Sequence, residues 1–454
     1  MDFIWKFCEI PNRNPIQHSG RPPEVLELPN ITTLSVDKDK ERLICLGMTD
    51  AQAVRCRKRL EQFLVDLLEP VGRSERRHWG EVYVRSLLLD GERKSIEPLA
   101  TRLPEGNVQA MQQFIGQSPW EWNLVWERLG KRMTAELEPD PAWVVDDTGF
   151  PKQGRHSVAV ERQYSGTLGK TGNCQIAVSV HHVGEQGNVP LGWRLYLPES
   201  WANDAQRRRE AGIPEGIVFR RKWELALEII DQIREWGLPD RVVLGDAGYG
   251  DGTEFREELE KRKLKYAVGV LPQVGVWLKP PKITPLKTTG RGRPPTAARY
   301  GHQRPTTAQE AARQARGWRT IRWREGSQGW LESRFWAARV QPSHRYQDGR
   351  PPGKEVWLLA EWPESEKAPI KYCLCDLPAD YALRRIVRLV KCRWKIEQDY
   401  HQLKEELGLD HYEGRNWQGW HHHVTMVMVA HAFLTLETLR GKKNFWVDPA
   451  EDAT

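Results

Sequence analysis

Three acidic residues stand where the sequence predicts two strand ends and a helix. Asp146 closes the apolar run of AWVVDD, Asp246 follows the apolar run of RVVLGD, and Glu397 lies in the charged segment RWKIEQDYHQLKEELG. Carboxylates so far apart in sequence form one site only if the fold brings them together. Two strand ends and a helix that converge in this way can hold two divalent metal ions for phosphodiester chemistry.

Each aspartate also has a second interpretation. Asp147 follows Asp146 directly, and adjacent side chains of a strand point to opposite faces, so only one of the pair can enter such a site. Asp147 is therefore a rival for the first position. An aspartate at a strand end is also typical of a turn or a helix cap. The AGYGDG after Asp246 contains glycines that could make a turn or let a phosphate backbone approach.

The charged segment predicts a helix with one functional stripe. Arg393, Glu397, Tyr400 and Lys404 follow each other at steps of four, three and four, which places them on one face. The functional interpretation assigns Glu397 to a metal and the two cations to phosphate groups. The alternative is a solvated face, in which an Arg393–Glu397 pair contributes about 0.2–0.5 kcal/mol.

The surrounding segments predict an α/β core. PAWVVDD, HSVAVERQY, CQIAVSVHHV and PLGWRLYLP are β-rich and separated by turns, as antiparallel neighbours are. A helix at 222–236 follows, then strand RVVLGD, helix TEFREELEKRK and strand KYAVGVL. This is the element order of a ribonuclease H-like mixed sheet, in which the first and fourth strands are neighbours. That order sets Asp146 beside Asp246.

Changes in composition divide the chain into five segments. At 454 residues it is too long for one ordinary core. The prediction is a catalytic core interrupted by a β-rich insertion and preceded by a helical domain. That domain would suit DNA binding, and plain packing is the alternative. The segments are the helical domain 1–130, the first part of the core 131–272, the Trp- and Arg-rich insertion with its basic linker 273–372, the second part of the core 373–440 and a tail 441–454.

The insertion contains two kinds of candidate nucleic-acid contact. Arg291 and Arg293 flank a glycine in TGRGRPP, a pattern that suits a narrow minor groove, although a plain basic linker is the alternative. Trp323 and Trp330 lie among arginines, where aromatic rings can stack on exposed bases. Most tryptophans of this region are expected to form the core of the insertion.

Composition indicates a globular protein with a modest basic surplus. The net charge is +7, with cations concentrated in 205–222, 279–324 and 384–395, which could contact phosphate or be solvated surface. No apolar run reaches the roughly 20 residues of a membrane span, and 424–436 is predicted to be a buried helix. The start of the chain has no signal-peptide pattern. The seven cysteines are scattered, which fits a reduced cytosolic setting.

Two other groups are weak metal-site candidates. Cys373 and Cys375 lack a second cysteine pair, so they are a poor zinc signal. His421, His422 and His423 are consecutive and cannot share one helical face. Packing at the start of a helix, or contact with a DNA backbone, is expected of them instead.

The helical stripe resembles a known family signature. Arg393-x3-Glu397-x6-Lys404 is similar to the R-E-K part of the Y-R-E-K signature of IS4-type DDE transposases. DDTGFPKQGRHSVAVERQYSGTLGKTGNCQ, GDAGYG and ELGLDHYEGRNWQGWHHH resemble the IS701 group in particular, over about residues 90–437. The tyrosine of the signature falls at Val390, so the DNA contact of that tyrosine is in doubt, although Tyr400 lies on the same stripe.

The resemblance implies a triad and a pair of metal ions. Asp146, Asp246 and Glu397 would be both the catalytic residues and the metal ligands, with Asp146 preferred to Asp147 because D-x-[ST] recurs at this strand end in the superfamily. Two Mg²⁺ ions suit three carboxylates, and Mn²⁺ could substitute. Arg393, Lys404 and Tyr400 would contact DNA.

The resemblance also implies a biological role. It predicts a DDE transposase of an insertion sequence that binds terminal inverted repeats, cleaves DNA and transfers the strand to target DNA. Its partners would be double-stranded transposon ends, target DNA and a second copy of the chain at synapsis, with no membrane. Its location would be the prokaryotic cytoplasm, in association with the nucleoid. The alternatives are a non-catalytic DNA-binding protein derived from a transposase and a nuclease that cleaves without strand transfer.

Overall fold

A computed structural model describes most of the chain. The described residues are 34–37, 42–45, 50–137, 142–283, 300, 302–326, 329–344 and 346–446. Arg291 and Arg293, which were predicted to enter a minor groove, lie outside these residues, and their role stays a prediction.

The described strands and helices alternate in the middle of the chain. The strands are β1 Leu34–Asp37, β2 Arg42–Cys45, β3 Ala142–Pro151, β4 Glu161–Ser165, β5 Lys170–Val183, β6 Asn188–Leu195, β7 Val242–Gly245, β8 Tyr266–Val270, β9 Gly275–Trp277, β10 Thr306–Thr307, β11 Arg319–Gly326, β12 Gly329–Pro342, β13 Val356–Trp362 and β14 Lys371–Cys375. The helices are α1 Asp50–Leu67, α2 Ser74–Leu88, α3 Ile96–Ala100, α4 Val108–Gly116, α5 Trp122–Glu136, α6 Glu199–Ala202, α7 Ala205–Glu210, α8 Lys222–Glu235, α9 Ala247–Gly250, α10 Thr253–Lys261, α11 Ala308–Arg313, α12 Leu383–Lys391, α13 Lys395–His401 and α14 Trp417–Trp446.

The chain forms two compact units. Within the described residues, the larger unit consists of Ile31–Gly245, Glu257–Leu264 and Cys392–Thr454. The smaller unit contains Asp246–Arg256 and Lys265–Lys391. These bounds differ from the five segments expected from composition, and that finer division stays a prediction.

The sheet of the larger unit is mixed. β3 pairs antiparallel with β5 along its whole length, and β7 pairs parallel with β3. On its other edge β5 pairs antiparallel with β4 and with β6. Residues 174–183 of β5 are buried without a break, as in a strand covered on both faces. The mixed α/β class predicted from the element order is confirmed.

Helices supply the rest of the larger unit's core. α14 packs against α2, α4 and α5, and Trp126 of α5 donates a 2.8 Å hydrogen bond to Thr425 of α14. The predicted helix at 222–236 is confirmed as α8. The predicted buried helix at 424–436 is confirmed within α14, where Val424 and residues 426–430 are fully buried. In the part of the chain that the structure describes, no helix is long and apolar enough to cross a membrane.

The smaller unit is built on an antiparallel sheet. Its strand order is β10-β9-β12-β13-β14-β8, and β11 pairs with β12. α12 packs against β8, β11 and β12. Phe335, Leu358 and Leu374 are among the buried side chains of this sheet. The segment 273–372, which was predicted to be β-rich, therefore contains the strands β9 to β13.

Candidate active site

Asp146 and Asp147 lie side by side on β3 and have different partners. The Asp147 carboxylate accepts a 2.8 Å hydrogen bond from Nζ of Lys222, the first residue of α8. The Asp146 carboxylate accepts a 3.0 Å hydrogen bond from Arg393, which lies in the 3-10 turn Cys392–Trp394 just before α13. Alternation along the strand explains the difference, because neighbouring side chains point to opposite faces.

The Arg393 side chain contacts the carboxylates of both Asp146 and Glu397. Its guanidinium donates from Nη1 to Asp146 and from Nη2 to Glu397 Oε1, the latter at 3.1 Å. The Asp146 side chain is 16% exposed and that of Glu397 is 64% exposed. A strand carboxylate and a helix carboxylate therefore meet around a single cation at the surface of the larger unit.

Asp246 belongs to the smaller unit and caps a short helix. Its Oδ1 accepts a 2.8 Å hydrogen bond from the backbone N–H of Gly248 at the start of α9. This is the helix-cap geometry that a strand-end aspartate often adopts. The backbone of β8 lies close by, because a Cβ on Gly269 would be 2.9 Å from the amide nitrogen of Ala247. Glycine at position 269 therefore permits this approach.

Two residues of the predicted stripe are buried rather than presented to solvent. The Tyr400 side chain is among the buried residues, and its hydroxyl lies 2.7 Å from Oγ of Ser179. The Lys404 ammonium donates to the carbonyl of Gly149 at 2.8 Å and to the hydroxyl of Thr167 at 3.1 Å. Burial lowers the pKa of Lys404 from its ordinary value. In this structure neither side chain is placed to contact DNA.

Tyr400 lies within α13 and is buried against Ser179 of β5, whereas for Lys404 the physical reason is a change in the helix after α13. The segment Gln402–Glu406 is a π-helical turn, which adds residues per turn and rotates the positions that follow. A constant 3.6-residue repeat therefore does not extend from Arg393 to Lys404. The prediction that these four residues share one exposed face is corrected: Arg393 and Glu397 share it, and Tyr400 and Lys404 point into the larger unit.

The two candidate tryptophans have different surroundings. Trp330 is the second residue of β12 and is 53% exposed. Trp323 on β11 is half-buried, with Nζ of Lys391 lying 4.3 Å from its ring centroid and the ring of Phe335 at 5.6 Å. Trp330 can offer a ring face to a base, whereas Trp323 packs within the smaller unit.

The three consecutive histidines are part of the core. His421, His422 and His423 are each at most 2% exposed. His422 contacts the carbonyls of Ile115 and Trp120 at 2.9 and 3.0 Å. Burial lowers the pKa of His421 to about 3 and those of His422 and His423 to about 4. Packing at the start of the helix is confirmed, and contact with DNA is excluded for this arrangement.

Sequence reasoning missed the polar residues beneath α13. Ser179 and His181 lie on β5, and both are 0% exposed. Asp399 of α13 is 4% exposed and accepts from His181. The signal was present, because alternate positions of an apolar strand, CQIAVSVHHV, are polar. A polar residue in a fully buried strand needs a partner.

The carboxylates fit a cation but do not form a complete metal cluster as they stand. Among the described residues, no group of three or more His, Cys, Asp or Glu side chains is close enough to hold a metal ion. Asp146 and Glu397 nevertheless both pair with the Arg393 guanidinium, so the space between these two carboxylates accepts a positive charge. Oxygen ligands are those that Mg²⁺ prefers.

Comparison with known proteins defines the class. A family model described as DDE superfamily endonuclease matches residues 66–330, more than half of the chain. The chain belongs to this superfamily, which confirms the family predicted from its motifs. The matched range contains Asp146 and Asp246 and ends before Glu397.

The chain is also similar to individual transposases. Over 183 residues it is 30% identical to a probable transposase for insertion sequence element IS701 from Microchaete diplosiphon. The match covers 40% of this chain and 45% of that relative, so the chain spans less than half of the relative's length. The piggyBac transposase synaptic complex with hairpin DNA matches with a TM-score of 0.36 and 11% identity, over 85% of this chain and 67% of that one. A similarity this low carries no structural argument.

Proposed function

We propose that this protein cleaves and rejoins DNA at the ends of an insertion sequence. Asp146, Asp246 and Glu397 are the proposed metal ligands of its active site. Membership of the DDE superfamily and similarity to an insertion-sequence transposase support the class of reaction. DDE enzymes use divalent metals, which agrees with a ligand set made only of carboxylates.

One observation carries the proposal. Arg393 contacts Asp146 across 247 residues of sequence and contacts Glu397 at the same time. Two carboxylates around one cation repel each other less than they would alone, and a metal ion can replace the guanidinium there. The late helix is therefore assembled with the first strand.

The position of Asp246 in the chain supports its role as the third ligand. β7 runs parallel to β3, with Leu244 opposite Val144. Asp246 follows Leu244 by two residues, just as Asp146 follows Val144 by two residues. Equal spacing from paired residues of parallel strands favours Asp246 over other acidic residues of this region.

The ligands fit two Mg²⁺ ions or Mn²⁺ as a substitute. When bound, the metal supplies Lewis-acid activation of the attacking oxygen and stabilises charge on the leaving 3′ oxygen. Arg393, once its carboxylates are otherwise neutralised, holds a non-bridging oxygen of the scissile phosphate. Trp330, whose side chain is exposed, is the proposed ring for stacking on a DNA base. The proposed partners are double-stranded transposon ends, target DNA and a second copy of the chain.

The test is incubation of the purified protein with its flanking element DNA and Mg²⁺ or Mn²⁺, followed by mapping of the broken and joined ends. We expect cleavage at the element boundary and joining of the 3′ end to target DNA. Asp246→Asn and Glu397→Gln should lower cleavage by more than the roughly 10–100-fold that loss of an outer partner of a metal ligand costs, while end binding persists. Asp240→Asn and Glu405→Gln are the matched controls, because both carboxylates are solvent-accessible and outside the proposed site.

The same experiment separates the alternatives. End binding without metal-dependent cleavage would identify a non-catalytic DNA-binding protein and overturn the proposal. Cleavage without joining would identify a nuclease. Equal loss of binding and cleavage in Asp246→Asn would remove that residue from the proposed ligands.

A further inference from the structure

A buried polar layer separates β5 from the helix that carries Glu397. Ser179 and His181 lie on the same face of β5 because they are two residues apart. Asp399 and Tyr400 of α13 face them. All four side chains are buried, although aliphatic residues would fill the same space at a lower desolvation cost.

Asp399 is held by donors from two strands. Its Oδ2 lies 2.7 Å from Nδ1 of His181, and its Oδ1 accepts from the side-chain amide of Asn188 at 3.3 Å. A carboxylate only accepts, so His181 is assigned a proton on Nδ1. His431 of α14 lies 4.0 Å from the same carboxylate. A buried carboxylate with these partners is confined to one position, because moving it would leave its charge unpaired.

A second contact fixes the register of the same helix. The Tyr400 hydroxyl lies 2.7 Å from Ser179, and Ser179 is directly opposite Asp146 in the β3–β5 pair. Burial raises the pKa of Tyr400 well above its ordinary value, so the hydroxyl stays neutral. The strand pair that carries Asp146 therefore also holds the inner side of α13.

The helix geometry connects this layer to Glu397. Residues two positions apart in an α-helix are separated by about 200° around the helix axis, so Glu397 and Asp399 lie on nearly opposite sides of α13. Asp399 is 4% exposed, whereas the Glu397 side chain is 64% exposed beside Arg393. α13 has only seven residues, and Asp399 and Tyr400 are its polar contacts with β5.

We propose that Asp399, held by His181 and Asn188, is a positioning residue that fixes the rotation of α13 and so places Glu397 beside Asp146. This inference rests on the proposed role of Glu397 as a metal ligand. Asp399 itself touches neither metal nor DNA. Its effect is transmitted through the backbone of α13, two residues away.

The test measures Mn²⁺ binding by calorimetry on the full chain, together with the kcat and KM of DNA cleavage. Asp399→Asn should weaken Mn²⁺ binding about 10-fold, as losses of outer ligand-orienting contacts do, and should lower kcat with little change in KM. His181→Leu should act in the same direction. His181→Gln keeps a donor for Asp399 and should restore most of the Mn²⁺ affinity.

A matched control separates positioning from simple destabilisation. Glu437→Gln on α14 removes a half-buried ion pair with Arg59, far along the sequence from α13. It should lower the melting temperature without changing Mn²⁺ affinity. Tyr400→Phe, which removes only a hydroxyl, provides a milder change within the layer and should weaken Mn²⁺ binding by a smaller factor.

The outcomes distinguish the two proposals. A wild-type chain that binds Mn²⁺ and cleaves DNA, with Asp399→Asn and Tyr400→Phe folded and unchanged in both, overturns the positioning role alone. A wild-type chain that neither binds Mn²⁺ nor cleaves DNA overturns both proposals. If Glu437→Gln lowered Mn²⁺ affinity as much as Asp399→Asn does, general destabilisation would explain the loss of affinity. That result would overturn the positioning role.

Discussion

Arg393 donates a 3.0 Å hydrogen bond to the carboxylate of Asp146, across 247 residues of sequence. The same guanidinium also contacts Glu397. Without a metal ion, this cation balances two carboxylates that would otherwise repel each other. Arg393 therefore serves the metal-free chain as an internal counter-ion.

Replacing Arg393 should expose this repulsion. In the presence of a metal chelator, Arg393→Gln should lower the free energy of unfolding by about 1 kcal/mol or less, since the ion pairs of Arg393 with Asp146 and Glu397 are partly solvated. Added Mg²⁺ should raise the melting temperature of the variant more than that of the wild type, because the two carboxylates have lost the Arg393 guanidinium with which the metal ion competes. Calorimetric melting with and without Mg²⁺ measures both effects. Arg388→Gln, at an exposed position of α12, is the control. An equal response to Mg²⁺ in variant and wild type would contradict the counter-ion role.

Asp146 and Asp147 should have separable effects. Asp147→Asn disrupts the contact with Lys222 and should reduce stability by up to about 1 kcal/mol while retaining most DNA cleavage. Asp146→Asn should lower cleavage by more than the roughly 10–100-fold that loss of an outer partner of a metal ligand costs. Parallel cleavage assays and urea denaturation measure the two effects. If Asp147→Asn lost cleavage and Asp146→Asn retained it, Asp147 rather than Asp146 would be the first metal ligand.

Lys404 should act on stability rather than on DNA binding. Lys404→Met removes the donor to Gly149 and Thr167 and should lower the free energy of unfolding by about 1–3 kcal/mol. The salt dependence of DNA affinity should stay unchanged, because a buried ammonium releases no counter-ion from phosphate. Binding measured across a salt series tests this. A slope reduced by about one would instead show a phosphate contact.

The buried histidines should make the fold sensitive to mild acid. Burial lowers the pKa of His421 to about 3 and those of His422, His423 and His431 to about 4, from an ordinary value of 6.5. They stay neutral in the folded chain but gain protons on unfolding below pH 6.5. Stability should therefore fall as the pH falls from 6.5 towards 4, and should be fully present above 6.5.

Urea denaturation between pH 7.5 and 5 measures this effect. Each histidine contributes up to about 1.4 kcal/mol per pH unit within that window. His421→Gln should reduce the slope of stability against pH. His78→Gln, which removes an exposed imidazole, is the control and should leave the slope unchanged. Stability that does not vary with pH between 6.5 and 5 would contradict the predicted contribution.

Local patterns were enough to predict many elements of the fold. The apolar run before Asp146 became β3, and the run before Asp246 became β7. The helix at 222–236 was predicted from its apolar spacing and from the Gly237 that ends it. These elements depend on neighbours a few residues away, which a sequence shows directly. HSVAVERQY formed a strand only in its second half, as β4.

The orientation of the Tyr400 and Lys404 side chains could not be predicted from the sequence. A stripe drawn at 3.6 residues per turn predicted that Tyr400 and Lys404 face outward with Glu397. Both are buried, because Ser179 and Gly149 offer them partners. For Lys404, the backbone also changes to a π-helical turn after α13. These partners lie on strands more than 200 residues earlier in the sequence.

The sequence by itself determined which residue types were available for chemistry and on which elements they lie, because helix and strand periodicities are local properties. It also determined the family, through the spacing of Arg393, Glu397 and Lys404. Only the tertiary structure decided that Asp146 rather than Asp147 meets the Arg393–Glu397 pair, and that Asp399 lies beneath it. Those choices depend on which face of β3 packs against α8 and which against α13, and long-range packing alone sets that arrangement.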